Sequence, residues 1–271
     1  MQQKTIVITG ASDGIGAAAA RRLALEGHRV VVVGRSAEKT EKVAADIGAP
    51  FHLADYAELS QVRRLAAELR DAYPRIDVLV NNAGAVMNKR TLTVDGHEST
   101  FQVNHLGPFL LTTLLVDRLA ESRASVVTTA SAAHRYARLD LDNLAFARGF
   151  SAMRAYGTAK LANILFTIEL DRRYRDRGIS AASVHPGVIK SSFGSQSNVF
   201  MRMIYSWPFN LLMETNEQGA DTLAWLAGTE PGTDWEPGEY YAKRRPASRS
   251  AAAADLMLAE RLWDRSAELV G

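Results

Sequence analysis

Short apolar runs alternate along the chain with longer segments of helical periodicity. The apolar runs are rich in Val and Ile and are bounded by Gly, Pro or charged residues, which is typical of buried strands. The longer segments carry polar residues on one face, as amphipathic helices do. Strands are predicted at residues 5–9, 29–33, 50–53, 78–80, 125–129, 180–184 and 239–241, and helices at 14–26, 37–47, 58–72, 96–120, 155–174, 217–227 and 252–269.

This alternation of strands and helices predicts an α/β fold. Strands that are apolar almost throughout favour a parallel sheet covered on both faces. We therefore expect a single-domain doubly wound (Rossmann) parallel sheet with helices on both faces, spanning residues 1–271. A chain of this length is enough for one large domain, and no repeat or linker divides it.

Composition and charge narrow the possible functions. The formal net charge of +2 gives no indication of nucleic-acid binding, and the absence of cysteine excludes disulfides, thiolate metal sites and a cysteine nucleophile. The histidines show no spacing suited to a metal, so no metal site is expected. The chain leaves no room for a signal peptide and has no apolar run of about 18 residues, so we expect a cytoplasmic protein.

A glycine loop, Thr9-Gly-Ala-Ser-Asp-Gly-Ile-Gly16, follows the first predicted strand and opens the first helix. Backbone N–H groups and the helix dipole at such a helix start favour an anionic phosphate. The alternative is that the glycines only permit a tight turn. The missing Gly-Lys-Ser/Thr ending excludes a P-loop. The predicted nucleotide contacts are Gly10, Ser12, Asp13, Gly14, Ile15 and Gly16.

Arg35 ends the second predicted strand, where an acidic residue would usually bind a free 2′-hydroxyl. A guanidinium instead suits a 2′-phosphate, through paired charge-assisted hydrogen bonds. Ser36 and Lys39 offer further contacts. The alternative is that Arg35 caps a surface loop. The sequence therefore predicts a preference for NADP(H), with NAD(H) also open.

Tyr156 and Lys160 lie four residues apart in a predicted helix, so their side chains share one face. Bringing a phenol pKa from about 10 to about 7 takes roughly 4 kcal/mol. One cation about 4 Å away, at an effective dielectric constant of about 20, supplies about that much. The pair alone proves little, because this spacing also arises by chance.

Five motifs, taken in order, resemble the short-chain dehydrogenase/reductase family. They are the glycine loop, Asn81-Asn-Ala-Gly84, Phe101-Gln-Val-Asn-His-Leu-Gly107, Ser131 with Tyr156-x-x-x-Lys160, and His185-Pro-Gly-Val188. Segments 131–134, 160–166 and 261–264 resemble the branch that contains retinol dehydrogenases and protochlorophyllide reductases. Ser131 and Tyr156 are 25 positions apart, about twice the usual interval, and retinol-dehydrogenase-like members share such an insertion. A second departure is Thr128-Thr129-Ala130 before Ser131, where the family more often has a serine pair, although Ser131 aligns with the second serine.

The resemblance implies reversible hydride transfer between a nicotinamide cofactor and a small-molecule carbonyl or alcohol. It implies that Tyr156 is the acid/base, that Ser131 holds the substrate oxygen and that Lys160 also binds the ribose. Asn104 would anchor a water linked to that lysine. Further implied cofactor contacts are Asp55, Tyr56, Asn82, Ala83, Gly84, Tyr156, Lys160, Pro186, Gly187, Val188 and Ser191.

Two questions stay open at this point. The alternative function is a non-catalytic NADP(H)-binding sensor or regulatory protein on the same fold, although such a protein has no need of an intact Asn104, Ser131, Tyr156 and Lys160 set. His134 follows Ser131 closely, so it either reaches the substrate or packs in the core.

The connection at 187–215 is long, and its part 199–213 is mostly apolar or aromatic with one charge. Such a segment is a candidate lid over an apolar substrate. The alternatives are core packing and peripheral contact with a membrane surface. The family also offers homodimers or homotetramers paired through helices 96–120 and 155–174, as well as monomers.

Overall fold

One mostly parallel sheet forms the centre of the computed structural model, which describes residues 2–189 and 214–271. Its order is β3-β2-β1-β4-β5-β6-β7-β8. All neighbouring pairs are parallel except β7 and β8. The strands are β1 (Thr5–Thr9), β2 (Arg29–Gly34), β3 (Phe51–Leu53), β4 (Val78–Asn81), β5 (Ser125–Thr129), β6 (Ser180–Val184), β7 (Tyr240–Ala242) and β8 (Arg245–Pro246).

Helices cover both faces of this sheet, which confirms the predicted doubly wound fold. One apolar core packs α3, α5, α7 and α9 against one face, and a second packs α1, α2 and α8 against the other. The strand order reverses between β1 and β4, and ligands of such sheets bind at the carboxyl ends of the strands near that point. The helices are α1 (Gly14–Leu25), α2 (Ala37–Ile47), α3 (Leu59–Ala72), α4 (Ser99–Phe101), α5 (Gly107–Leu114), α6 (Val116–Ser122), α7 (Ala152–Tyr174), α8 (Asn216–Gly228) and α9 (Leu256–Val270).

The predicted helix at 96–120 was wrong as a single element. A π-helical turn, Gln102–Leu106, separates α4 from α5, and the Gly107 N–H donates to the Gln102 carbonyl. Pro108 explains the break, because it has no N–H for the Asn104 carbonyl and its ring crowds that turn. A wide turn of this kind is frequent at functional sites, and here it carries Asn104.

The C-terminal helix begins later than predicted, because a 3₁₀ turn at Ala251–Ala254 precedes it. Asp255 caps α9 by accepting from the Leu258 N–H at 3.0 Å. Trp263 of α9 stacks on Phe166 of α7, with centroids 5.8 Å apart, and meets Phe109 of α5 edge-on. The last helix therefore contacts α5 and α7, which lie within the two segments that the family resemblance offered for pairing between subunits.

The candidate lid lies mostly outside the described residues. This applies to segment 199–213 and to Ser191, whose predicted roles stay predictions. Within 2–189 and 214–271, each helix falls short of the length or apolar content that a membrane crossing requires.

The Thr9 hydroxyl joins the end of β1 to the loop after β4. It accepts from the Asn82 and Ala83 N–H groups at 3.0 and 3.1 Å and donates to the Val80 carbonyl at 3.1 Å. Thr9 is completely buried, so water cannot replace these bonds. One hydroxyl thus fixes two loops at the edge of the sheet where a ligand would bind.

Thr9→Val should destabilise the protein by about 1–3 kcal/mol, because the Ala83 N–H loses its acceptor and the Asn82 N–H keeps only the Val80 carbonyl, while the shape of the side chain is kept. Thr9→Ser is the matched control, since it keeps the hydroxyl. Urea unfolding of both variants measures the difference. Equal midpoints for the Val and Ser variants would show that the hydroxyl has no such role.

His105 lies completely buried between the π-helical turn, α7 and α9. Its Nδ1 lies 3.4 Å from the Asn163 Oδ1, and its Nε2 lies 2.8 Å from the Ser266 hydroxyl. Burial lowers the His105 pKa to about 4. The ring is therefore neutral in the folded protein, and it accepts the Ser266 proton.

The stability of the folded state should fall as pH drops from about 6.5 to about 4. Over this range His105 binds a proton in the unfolded chain but not in the folded protein. Because the folded pKa is lowered to about 4, the free energy of unfolding should fall by about 3 kcal/mol. Urea unfolding between pH 7.5 and 4.5 measures this, and His105→Gln should have a shallower pH dependence than the wild type. The same slope in both proteins would contradict the assignment to His105.

Candidate active site

Tyr156 and Lys160 meet on the inner face of α7, as their spacing predicts. The Lys160 Nζ lies 5.6 Å from the centre of the Tyr156 ring. The lysine is 2% exposed, and its Nζ donates to the Thr129 carbonyl at 3.0 Å. The carboxyl end of β5 thereby fixes the ammonium group beside the phenol.

The expected lowering of the Tyr156 pKa by Lys160 is wrong for this structure. Burial raises the Tyr156 pKa to about 12, although a hydrogen bond from Ser131 partly opposes this. Burial also lowers the Lys160 pKa to about 7. The physical reason is that each charged form loses hydration, and that the cation is only partly present near neutral pH. Tyr156 is therefore a protonated phenol at pH 7, which is the form that can donate a proton.

Ser131 lies two residues after the end of β5 and brings its hydroxyl to Tyr156. The residue is extended, with φ −161°, and it caps a 3₁₀ turn at Ala132–Tyr136. Its Oγ accepts from the Ala133 N–H at 3.2 Å and hydrogen-bonds to Tyr156. A Cβ added at Gly157 would lie 3.0 Å from the Ala133 carbonyl oxygen, so α7 packs closely on this turn. That close approach is what brings the two hydroxyls together.

Asn104 lies beside Lys160 and the loop after β4. Its Nδ2 donates to the carbonyls of Ala85 and Thr100 at 2.7 and 2.8 Å. Its Oδ1 is buried and has no hydrogen-bond partner among the described residues. A Cβ added at Gly84 would lie 2.6 Å from this Oδ1 and 3.5 Å from the Lys160 Nζ. Glycine at position 84 therefore leaves open the small space between the lysine and the asparagine.

Sequence reasoning missed Asn163, which supports the lysine from one turn further along α7. Its Nδ2 donates to the Thr129 carbonyl at 3.1 Å, the same acceptor that Lys160 uses. Its Oδ1 faces His105. The only signal in the sequence was its position in the 160–166 segment, one helical turn after Lys160. Thr9 and His105 gave no signal, because their roles depend on residues far away in the chain.

The glycine loop holds its shape for reasons of packing at two positions. A Cβ added at Gly10, where φ is +64°, would lie 2.7 Å from the Ala83 Cα. One added at Gly16 would lie 2.6 Å from the Asn82 Nδ2, which itself donates to the Thr9 and Gly10 carbonyls. At these two positions glycine is required by packing, because a side chain would collide with the loop after β4. This agrees with the alternative that the glycines only permit a tight turn.

Gly14 differs, because the described residues leave its face open. Its φ is +56°, and the nearest atom to an added Cβ is the Asn216 Oδ1 at 3.9 Å. Asp13 caps α1 by accepting from the Gly14 N–H at 2.7 Å. The next two N–H groups, those of Ile15 and Gly16, have no acceptor within the helix. Within residues 2–189 and 214–271 the glycine face is open and two N–H groups at the helix start have no acceptor, which fits a phosphate group.

The residues predicted for the 2′-phosphate gather at the ends of β2 and β3. Arg35 has a side chain 67% exposed, and its Nη1 lies 3.9 Å from the Asp55 Oδ2. Lys39 pairs with Asp13 at 2.8 Å. Ser36 caps α2, accepting from the Lys39 N–H at 3.5 Å. Both cations therefore have an acidic neighbour, although the Arg35 guanidinium keeps most of its surface free.

Three other predicted cofactor contacts, Tyr56, Ser12 and Asp55, use their side chains for packing or for shaping a turn. The Tyr56 side chain is 4% exposed, and a Cβ added at Gly107 would lie 2.7 Å from its ring, so it packs in the core. Only its backbone is left for a cofactor. Ser12 packs against Gly34, where an added Cβ would lie 2.8 Å from the Ser12 Cβ. Asp55 accepts from the Ala57 N–H at 2.9 Å and shapes its own turn.

The turn after β6 brings the His185-Pro186-Gly187-Val188 segment to the same edge of the sheet. Gly187 has φ +93°, and an added Cβ would collide with the Glu214 carboxylate. Val188 is 53% exposed, and its carbonyl accepts from the Glu214 N–H at 2.8 Å. Burial lowers the His185 pKa to about 4, so that ring is neutral. Residues 2–189 and 214–271 contain no cluster of three His, Asp or Glu side chains arranged to hold a metal ion.

Three features of the part of the chain that the structure describes fit a bound dinucleotide: the open face at Gly14, the free N–H groups at the start of α1 and the unpartnered Asn104 Oδ1. They lie at the carboxyl ends of β1, β4 and β5, which are neighbours in the sheet. The Tyr156 and Ser131 hydroxyls lie at the end of the same strand β5. The arrangement can therefore place a cofactor next to two hydroxyl groups and an amine.

Comparison with known proteins agrees with this geometry. A family model described as "short chain dehydrogenase" matches residues 4–200. The chain is 44% identical to "Putative daunorubicin C-13 ketoreductase DnrU" of Streptomyces sp. (strain C5), covering 99% of this chain and 93% of the relative. It is 39% identical to retinol dehydrogenase 11 of Homo sapiens, covering 99% and 86%.

A solved structure of an uncharacterised protein from Mycobacterium paratuberculosis is also similar. It is 35% identical, with a TM-score of 0.79, and the match covers 99% of this chain and 93% of that one. The resemblance stated from the sequence motifs is thereby confirmed, including the likeness to retinol dehydrogenases. The chain belongs to the short-chain dehydrogenase/reductase family of oxidoreductases.

Proposed function

We propose that this chain is an NADP(H)-dependent oxidoreductase that interconverts a carbonyl and an alcohol on an apolar small molecule, with Tyr156 as the acid/base. The observation that carries this proposal is the meeting of the Ser131 and Tyr156 hydroxyls beside the buried Lys160 amine. The family acts on carbonyl and alcohol groups. The names of the relatives, a ketoreductase and retinol dehydrogenases, support the same chemistry.

When bound, the nicotinamide would supply or accept the hydride. The Ser131 hydroxyl donates to the substrate oxygen and holds it within reach of Tyr156. In the reduction direction, the Tyr156 O–H passes its proton to that oxygen as negative charge develops there. A phenol whose pKa is about 12 holds this proton at neutral pH and is ready to donate it.

Lys160 acts on the phenolate that this proton transfer leaves behind. A protonated ammonium 5.6 Å from the ring centre stabilises that anion, and a pKa of about 7 lets the amine gain or lose a proton at little cost near neutral pH. The unpartnered Asn104 Oδ1 lies beside the amine, where it can accept a hydrogen bond from a water that exchanges protons with solvent. Lys160 is also the residue that we assign to the ribose hydroxyls.

The cofactor contacts follow from the same edge of the sheet. The N–H groups of Ile15 and Gly16 would bind the pyrophosphate, and the exposed Arg35 guanidinium would bind the 2′-phosphate. Asp55 and the loop after β4 would contact the adenosine and ribose. The turn at Gly187 and Val188, with Ser191, would hold the nicotinamide end. The apolar substrate class rests on the aromatic content of segment 199–213.

Tyr156→Phe should lower turnover by roughly 100-fold or more, because the substrate oxygen loses its proton donor. The dissociation constant for NADPH should stay within a factor of about three. Turnover is measured by NADPH absorbance with a panel of aldehydes, ketones and secondary alcohols, and binding by NADPH fluorescence. Tyr136→Phe is the matched control, because that tyrosine is 91% exposed.

Retention of more than a few per cent of turnover in Tyr156→Phe would contradict the acid/base role. A protein that binds NADPH and turns over none of these substrates, with or without the Tyr156 hydroxyl, would instead be the sensor that the sequence left open.

Arg35→Ala should weaken NADPH binding by roughly 10- to 100-fold, through loss of a charge-assisted pair. NADH binding should change little, because NADH has no 2′-phosphate. Fluorescence titration of each cofactor measures both constants. Arg70→Ala, an exposed arginine on α3, is the control. An equal loss for both cofactors, or NADH binding as tight as NADPH in the wild type, would refute the preference.

A further inference from the structure

The imidazole of His134 connects Ser131 to the C-terminal part of the chain. His134 is completely buried. Its Nδ1 lies 2.7 Å from the Ser131 carbonyl oxygen, and its Nε2 lies 3.3 Å from the Ser250 N–H. A carbonyl can only accept and an amide N–H can only donate, so the ring is neutral with its proton on Nδ1. Neither nitrogen is left for a substrate.

The segment that contains Ser250 is held against the Ser131 turn by a second residue. Arg135 donates through its Nη2 to both the carbonyl and the hydroxyl of Ser248, each at 2.7 Å. The Ala247 N–H donates to the Tyr240 carbonyl at 2.7 Å, and the Tyr240 ring meets His134 edge-on at 5.2 Å. Adjacent residues of the 3₁₀ turn thus bind a segment more than 100 positions away.

The bond from His134 acts on the backbone of Ser131. The Ser131 carbonyl accepts from the His134 N–H at 3.2 Å as well as from the shorter imidazole bond. The Ser131 Oγ accepts from the Ala133 N–H in the same turn. α7 packs on this turn at Gly157, and the imidazole connects the Ser131 carbonyl to Ser250 of the C-terminal segment.

We propose that His134 is a positioning residue, which orients the Ser131 hydroxyl by donating from Nδ1 to the Ser131 carbonyl while Ser250 holds the ring in place. This inference rests on the proposed function, in which the Ser131 hydroxyl binds the substrate oxygen. The two bonds have separate tasks. The Nδ1 bond sets the geometry of Ser131, and the Nε2 bond keeps the imidazole in the tautomer that can make it.

The experiment separates the two nitrogens of His134. His134→Asn keeps an amide donor where Nδ1 lies, and His134→Gln keeps a polar group where Nε2 lies. The Gln variant should lose roughly 10- to 100-fold in kcat, since misplacement of a catalytic group by about 1 Å has that effect. The Asn variant should stay within a factor of about five of the wild type. The KM for NADPH should be the same in both variants as in the wild type.

Arg135→Ala is the matched control, because it removes the two hydrogen bonds to Ser248 and leaves both His134 bonds in place. In this variant kcat should stay within a factor of about two of the wild type. Similar kcat values in the Asn and Gln variants, or an equal fall in all three proteins, would overturn the positioning role and leave His134 as a packing residue.

A wild-type protein that reduces no carbonyl compound would refute the proposed function. Two further measurements would still test whether His134 connects the Ser131 carbonyl to Ser250. Exchange of peptides covering 131–136 should rise in His134→Gln but not in His134→Asn. The ¹⁵N shifts of the wild-type His134 ring should show the neutral Nδ1–H tautomer at pH 7.5, which requires no variant to fold. An Nε2–H tautomer or a charged ring would overturn the inference.

Discussion

The carbonyl of Thr129, at the last residue of β5, is the acceptor on which the arrangement of the site depends. It accepts from the Lys160 Nζ and from the Asn163 Nδ2, which lie one turn apart on α7. These two bonds fix the rotation of α7 against the sheet. That rotation places Tyr156 opposite Ser131, two residues beyond the shared carbonyl. Asn163 is in turn oriented by His105, which connects this carbonyl to the C-terminal helix.

Burial governs the protonation of the site more strongly than the spacing of its charges does. A lysine and a tyrosine four residues apart in water would each favour the charged state of the other. In the folded protein both side chains lose hydration, so the amine tends toward its neutral form and the phenol keeps its proton. Near pH 7 the phenol is therefore protonated, while the amine, with a pKa of about 7, is only partly charged.

Two buried histidines connect the C-terminal part of the chain to backbone carbonyls of the site. His105 connects α9 to the carbonyl that holds Lys160, and His134 connects the segment at Ser250 to the carbonyl of Ser131. Both rings are neutral, because burial lowers their pKa values. The last helix also covers α5 and α7 through Trp263. The geometry at the end of β5 therefore depends on residues that lie far along the chain.

The sequence by itself determined the parallel sheet, the order of its strands and helices along the chain, and the family. Buried parallel strands leave continuous apolar runs, and the glycine loop and the family motifs have fixed local spacings. It also predicted that Ser131, Tyr156 and Lys160 act together, and the structure brings these three side chains close to one another. Only the tertiary structure decided the break at Pro108, the burial of Tyr56, the direction of the Tyr156 pKa, and the supporting roles of Thr9, Asn163, His105 and His134. The reason is physical: a pKa depends on the surrounding dielectric, and a hydrogen bond depends on partners that folding brings together from distant parts of the chain.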